Sequence, residues 1–467
     1  MAKSKSKELI GSLSVIDRKA FSQYLLSPFF GCSNEIISLY EILSAGLNKD
    51  EEDRKTIYKE LFPGKKFDDK KLRYVISELN HHLVKFLSVR QLDKEPLLAE
   101  SIAGRALAAK NCEKAYLMIH NEIVNYDICQ HPTLYYHKFN NAETYMTFIG
   151  NKLNRKSTPD YSETLLNLDL FYLLKKLQLS CEVANLANVM KTTYEIELLE
   201  SLKNLALQKQ FKDIPALRIY FHILEMLTQK VSEFHFKTAE KLIKAHSEKF
   251  FPAELSEMYQ YLKNYCVKKV NQGDQEYLRI LFNIYCDMLE NKPLMSHDFL
   301  SQWEYKNIVS ISLRLNEKAW CEKFIHKYNS YLKPGERQNA LAYNLAYFMF
   351  INDEFHKAIR KLREVELNDL FYQLDARVIL LKCYYELDET DSFFYQASSF
   401  RLFLLRNRHI SDYQKNIYRN LIKFLTAIVR GGYSKTKLKK VGKEIETEKN
   451  VADLNWLRAK VEEAISL

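Results

Sequence analysis

The stretch Ala342–Val365, AYNLAYFMFINDEFHKAIRKLREV, decides the fold because it contains two consecutive helical patterns. In each pattern apolar residues recur at three- and four-residue spacing, which predicts a helix with one buried face. Phe355 opens the second helix. The small residues Ala346 and Ala358 are predicted to lie where the two helices cross closely. The stretch therefore predicts a pair of packed helices.

The same apolar pattern recurs on both sides of this stretch, between Trp303 and Leu405. In successive first helices, three apolar positions correspond at shifts of 34 and 36 residues. The matched positions are Ile308, Ile311 and Leu315, then Ala342, Leu345 and Met349, then Val378, Leu381 and Tyr385, with Phe324 matching Ala358 and Tyr328 matching Leu362 in the second helices. A period of this length is typical of stacked helix pairs.

In this region the chain resembles tetratricopeptide repeats, whose unit is about 34 residues long. It departs from the consensus, because Ala342 and Ala346 replace the signature tryptophan and glycine, and Leu370 replaces the late proline. The likeness is therefore to the packing of the repeat. It implies an all-α, right-handed solenoid of antiparallel helix hairpins with a small helical N-terminal cap.

The chain contains 467 residues but only 11 glycines and 9 prolines, which favours helices joined by short connections over sheets. The sequence predicts an N-terminal helical cap over 1–95, irregular helical hairpins over 96–300, and tetratricopeptide-like repeats with basic C-terminal helices over 301–465. In the cap, helices are expected from Ser14 to Leu26, from Ser33 to Leu43 and from about Asp69 to Leu92.

The opening blocks LSVIDRKAFSQYLLSPFF (13–30) and LRYVISELNHHLVKFL (72–87) are similar to those of some uncharacterised bacterial helical-repeat proteins. That resemblance implies no known activity. A winged-helix DNA-binding domain is the alternative for this region, but no β-branched hairpin follows its helices.

Positive charge is concentrated near the C-terminus. Between Arg401 and Lys443 there are twelve lysines and arginines and one acid, Asp412, so this segment carries a net charge of +11. The formal net charge of the whole chain is +10, so the rest of the chain is almost neutral. A capping box at Ser411 begins a helix that Gly431 ends. We call the candidate binding residues the basic ridge; they are Arg408, Lys415, Arg419, Lys423, Arg430, Lys435, Lys437, Lys439 and Lys440.

Four of these cations, from Lys415 to Arg430, are expected on one face of that helix. An apolar stripe of Ile417, Leu421, Leu425 and Ile428 is expected on the opposite face. Almost no acid offsets the cations in the sequence window, whereas a merely solvated face usually mixes charges of both signs. Two interpretations of the ridge stay open: ordinary solvated surface, or a contact surface for a phosphate backbone, an acidic protein segment or an anionic lipid surface.

No sequence motif for catalysis, cofactor binding or metal binding is present: there is no P-loop, no Gly-x-Ser-x-Gly elbow and no His-Glu-x-x-His helix. His81 and His82 are adjacent on a predicted helix and are interpreted as a helix-surface pair rather than as metal ligands. The eight cysteines are scattered without a Cys-x-x-Cys pair, which predicts reduced thiols and a cytoplasmic protein. No transmembrane or secretory segment is expected.

These features predict a non-enzymatic helical-repeat scaffold that mediates protein–protein interaction, with no cofactor. The alternative is a protein that binds nucleic acid or another polyanion through residues 401–443. An enzyme whose site is assembled from distant residues is the third hypothesis. The partner, the pathway and the oligomeric state are not encoded in any motif.

Overall fold

A computed structural model of the chain describes residues 5–47, 54–127, 130–150, 160–190, 192–211, 213–229, 232–290, 294–296, 299–365, 370–432, 434–448 and 450–466. Helices dominate these residues, so the prediction of an all-α protein is confirmed. The only strands in the described ranges, β1 (Met295–Ser296) and β2 (Phe299–Leu300), pair in an antiparallel sheet with two residues in each strand. No described helix has both the length and the apolarity needed to cross a lipid bilayer.

The helices of the first half are α1 (Lys5–Ser12), α2 (Val15–Leu26), α3 (Asn34–Ala45), α4 (Arg54–Leu61), α5 (Asp69–Leu92), α6 (Pro96–Ala109), α7 (Glu113–Asn125), α8 (Pro132–Gly150), α9 (Ser162–Met190), α10 (Leu199–Ala206) and α11 (Pro215–Thr228). Those of the second half are α12 (Glu233–Ala245), α13 (Pro252–Asn271), α14 (Glu276–Glu290), α15 (Gln302–Arg314), α16 (Lys318–Tyr328), α17 (Arg337–Ile351), α18 (Phe355–Leu362), α19 (Leu370–Glu386), α20 (Thr390–Arg406), α21 (Asp412–Gly431), α22 (Lys435–Thr447) and α23 (Leu454–Ser466). Short 3-10 helices occur at Lys209–Phe211, Ser247–Lys249 and Asn329–Tyr331.

The chain divides into two compact units, one made of Met1–Ser180 and Ile196–Tyr220, the other of Cys181–Glu195 and Phe221–Leu467. In the first unit, α1 to α5 share one apolar core. Phe21 lies at its centre and packs against the rings of Tyr40 and Phe86, 5.0 and 5.2 Å away between centroids. The predicted helices of this region are confirmed within two residues, although Ser33 makes no side-chain cap bond. The domain boundaries at 95 and 300 remain predictions.

In the second unit, helices pack in sequential pairs: α13 with α14, α15 with α16, α17 with α18, α19 with α20 and α22 with α23. Packing also links alternate helices, because α15 contacts α17, α17 contacts α19 and α21 contacts α23. The two helices predicted from Ala342–Val365 are α17 and α18, and α18 begins at Phe355 as expected.

One backbone turn joins the helices within several pairs. A residue with a left-handed backbone ends the first helix, and the next residue donates its N–H to the carbonyl five positions earlier, as in a Schellman motif. The left-handed residues are Asn111, Gly273, Asn316, Asp353 and Asp388, with φ between 54° and 102°. The bonds join Cys112 N to Leu107 O, Asp274 N to Lys269 O, Glu317 N to Ser312 O, Glu354 N to Met349 O and Glu389 N to Tyr384 O, at 2.9–3.1 Å. Glycine, asparagine and aspartate tolerate this conformation best, which explains the residue types.

The positions of these turns differ from the predicted spacing of the helix pairs. From Asn316 to Asp353 is 37 residues, and from Asp353 to Asp388 is 35, so the predicted shifts of 34 and 36 are wrong by three residues and one residue. The error arose because apolar residues three positions apart lie on the same helix face. Ala346 and Ala358 are both fully buried in the packed pair α17 and α18, as expected for small residues at a close contact.

Candidate functional site

Helix α21 carries the centre of the basic ridge, and its two ends form as predicted. Ser411 Oγ accepts a hydrogen bond from the backbone N–H of Gln414 at 3.3 Å, and the N–H of Ser411 donates to Gln414 Oε1 at 3.4 Å. This capping box satisfies two donors at the start of the helix. The helix ends at Gly431, and Gly432 takes a positive φ of 48°.

The apolar side of α21 faces the core. Of the predicted stripe, Leu421, Leu425 and Ile428 are buried and Ile417 is half-buried. Thr426 is also buried, at 6% exposure, although a helical wheel places it beside the cations rather than opposite them. Neighbouring helices therefore cover most of the circumference of α21 and leave only a narrow exposed strip.

Three of the four cations expected on one face of α21 occupy that strip. Arg419, Lys423 and Arg430 are exposed, while Lys415 is half-buried. Lys423 Nζ lies 3.5 Å from Glu444 Oε2 on α22, so the expectation that almost no acid offsets the ridge is wrong here. Glu444 follows the charged window by one residue. An exposed pair of this kind contributes about 0.2–1 kcal/mol to stability, so a stronger anionic partner competes for the lysine at little cost.

Helix α20 adds a cation that the sequence did not assign to the ridge. The guanidinium of Arg401 donates to Thr426 Oγ1 at 3.2 Å, which places it next to the exposed strip of α21. Arg430 in turn lies over the ring of Phe394 on α20, 5.4 Å from its centroid. Stacking on an aromatic face holds a guanidinium while leaving its N–H donors available. No sequence signal identifies Arg401, because its neighbour lies on a different helix.

Helix α22 carries the remaining lysines of the ridge. Lys435, Lys437, Lys439 and Lys440 are all exposed, as is Arg408 in the turn before α21. The buried residues Leu438 and Ile445 hold α22 to the core. Leu438 approaches Gly431 so closely that a Cβ at that position would lie 3.0 Å from Leu438 Cδ2. Gly431 therefore lets α22 and its lysines pack directly against the end of α21.

The histidine pair in α5 differs from its prediction. His81 is exposed, but His82 is only 8% exposed, so the interpretation of both residues as a surface pair is wrong. Nδ1 of His82 lies 3.4 Å from Cys32 Sγ and 3.5 Å from the hydroxyl of Tyr24. Burial lowers the pKa of His82 and raises the pKa of the Cys32 thiol. Both shifts favour the neutral pair, whereas a nucleophilic cysteine requires a thiolate.

The other described cysteines carry no disulfide. Burial raises the pKa of Cys286 and Cys321 to about 11 and that of Cys383 to about 12, so these thiols are protonated at neutral pH. They behave as small apolar side chains. Cys129 lies outside the described residues. Within the described ranges, no group of three or more histidine, cysteine or acidic residues is arranged to hold a metal ion.

Comparison of the chain with protein families, curated proteins and solved structures finds no match. A function for the chain must therefore be inferred from the chemistry of its own surfaces.

Proposed function

We propose that the chain is a non-enzymatic helical-repeat scaffold, a right-handed tetratricopeptide-like solenoid that binds an acidic segment of another protein. The recurring Schellman turns support the repeat, because one local geometry joins the helices of five different pairs. In a solenoid each pair packs on the next, which matches the contacts between alternate helices.

Ion pairs between alternate helices also support the solenoid. Three consecutive links join α12 to α14, α13 to α15 and α14 to the N-cap residue of α16. They are Lys244 to Asp287 (2.7 Å), Lys263 to Glu304 (2.5 Å) and Arg279 to Glu317 (2.8 Å). A link that repeats with a period of two helices is expected when helix pairs stack in one direction.

The observation that carries the binding function is the exposed cationic strip of α20 to α22. Arg419, Lys423, Arg430 and Arg401 project from one region, and Lys423 makes the one ion pair to a carboxylate recorded among these four described residues. Their helices are fixed by a shared core. A rigid cationic surface steers an acidic partner towards it and gives an affinity that falls with salt.

Nucleic acid is the second candidate partner, favoured by the lysines of α22. Lys435, Lys437, Lys439 and Lys440 are exposed within 1.5 helical turns, which suits contact with phosphates that follow a backbone. Such contacts carry no base specificity.

The test is affinity capture from the native cytoplasm at low and high salt, with and without nuclease. The bait is compared with a variant in which Lys415, Arg419 and Lys423 are replaced by glutamine. A specific protein recovered after nuclease treatment, and lost with this variant, supports the scaffold. Recovery that depends on nucleic acid supports the second candidate. Equal recovery by both baits contradicts a binding role for the basic ridge. The cytoplasmic location and the absence of a cofactor remain part of this proposal.

A further inference from the structure

A groove runs along α19 on the side of α20 that faces away from α21. Its walls are α18 and α20, and it consists of three cavities of about 450, 250 and 510 Å³. The first two share Arg363 in their lining, and the last two share Arg377. The cavities therefore join into one groove, which follows α20 from Ser392 to Asn407, roughly 22 Å at 1.5 Å per residue.

Arg377 on α19 forms the floor of this groove and is half-buried. Its guanidinium lies 4.4 Å from the ring centroid of Phe403 and donates from one terminal nitrogen to Ser399 Oγ at 3.4 Å. Among the described residues it pairs with no carboxylate, and burial lowers its pKa. A cation removed from water without a counter-charge is costly to the fold. An anionic ligand would supply that counter-charge.

A second group that lines the groove, on the α20 wall, also lacks a partner. Gln396 is 94% buried and lines the middle cavity, and its Nε2 has no acceptor in the described part of the chain. The Nε of Arg377 has none either. A buried donor without an acceptor costs stability unless something supplies one. Both residues line one cavity, but each of these two atoms is shielded from solvent, so they mark an under-satisfied polar region of the groove and are not direct ligand contacts.

The rim of the groove is cationic and partly apolar. Arg360, Arg363 and Arg406 are exposed along it, and Glu389 is the single carboxylate among the described lining residues. Leu402 is also exposed, at 49%, and lines the largest cavity. Arginine forks match carboxylates in geometry as well as in charge.

We infer that this groove binds an extended acidic peptide segment of a partner protein, about seven residues long, with one carboxylate held by Arg377. The length follows from the groove and from the rise of about 3.3 Å per residue in an extended chain. Alternate side chains of such a segment point in opposite directions, so carboxylates reach the arginines while apolar residues cover Leu402 and Phe403. The site is separate from the basic ridge, because the two surfaces lie on opposite flanks of α20.

The test measures fluorescence anisotropy with the full chain and a labelled eight-residue peptide of alternating glutamate and leucine. The control probe alternates glutamine and leucine. We expect the acidic probe to bind and the neutral probe to bind at least tenfold more weakly. Arg377→Gln should weaken the acidic probe at least tenfold. A double variant of the exposed rim residues, Arg363→Gln with Arg406→Gln, should do the same with an unchanged melting temperature.

The control variant is Lys357→Gln with Lys361→Gln, which removes two charges from α18 outside the groove. It should bind the acidic probe within twofold of the parent. If Arg377→Gln does not fold, the rim variant decides. Equal binding of both probes overturns the inference. So does loss of binding in the control variant but not in the rim variant, or a single-stranded DNA 20-mer that depends on the rim residues more strongly than the peptide does.

Discussion

Replacing Ser399 by aspartate offers Arg377 the carboxylate that the groove lacks. Ser399 Oγ already accepts from the guanidinium at 3.4 Å, so an aspartate at the same position reaches it with one rotamer change. The substitution should therefore stabilise the protein and also block the groove, because the new carboxylate occupies the place that we assign to the ligand.

The magnitude follows from the burial of the pair. A hydrogen bond to a charged group contributes about 1.5–3 kcal/mol, whereas a fully exposed ion pair contributes about 0.2–1 kcal/mol. Arg377 and Ser399 are both half-buried, which places the gain near 1 kcal/mol. For the second compact unit, which contains α19 and α20, that corresponds to a rise of roughly 2–4 °C in melting temperature.

Ser398 provides a matched control, because it lines the same cavity one residue earlier but is exposed. Ser398→Asp has the same helix propensity, nearly the same position relative to the helix dipole and the same change in net charge. The two variants are compared by thermal unfolding at neutral pH and low salt, alone and combined with Arg377→Gln. Ser399→Asp should melt above Ser398→Asp only when Arg377 is present, and only Ser399→Asp should abolish binding of the acidic probe. Equal melting temperatures, or a gain that persists with Arg377→Gln, would refute the assignment of Arg377 as an unpaired cation.

Three further predictions concern other parts of the chain. Ala346→Leu should overpack the contact of α17 with α18 and lower the unfolding free energy by about 1–3 kcal/mol, measured by urea denaturation; an unchanged midpoint would contradict the close packing. Replacing Lys415, Arg419 and Lys423 by glutamine should leave the melting temperature within about 2 °C, since most of the packing of α21 lies elsewhere, and should flatten the salt dependence of partner binding. Burial lowers the pKa of His120, so the unfolded chain binds the proton more readily, and stability should fall as pH drops below about 6.5; His120→Gln should reduce that slope between pH 7 and 5, and an unaltered slope would exclude this histidine as its cause.

Several helices were predictable from sequence because they carry a local apolar period and local end signals. Helix α5 begins at Asp69 and ends at Leu92, as the pattern indicates. The spacing between successive helix pairs was harder to predict, because it depends on the left-handed turn residues. Those residues vary between asparagine, aspartate and glycine, while the apolar positions around them fit several alignments a helical turn apart.

The candidate site was also predictable only in part. The capping box at Ser411 and the exposed cations of α21 follow from one continuous segment, and the structure places them as expected. The ion pair of Lys423 with Glu444 could not be predicted from the charged segment, because Glu444 lies on the next helix. The groove could not be predicted, because Arg363 follows α18 while Arg377 and Arg406 lie on α19 and α20, and no spacing in the sequence indicates that they line one surface.

Helix α20 connects the two proposed binding surfaces and also keeps them separate. Its core side, with Phe400 and Leu404 fully buried, fixes the helix in the unit. One flank places Arg401 beside α21, and the other places Ser399 and Arg406 in the groove. Arg401 bonds to Thr426 on α21, whereas Ser399 bonds to Arg377 on α19, so substitutions on the two flanks should act nearly additively on the binding of one partner. A partner that touches both flanks gains from the second contact through a raised effective concentration, without needing a tight site in either place. Weak individual surfaces on a rigid helix would therefore be sufficient for the scaffold that we propose.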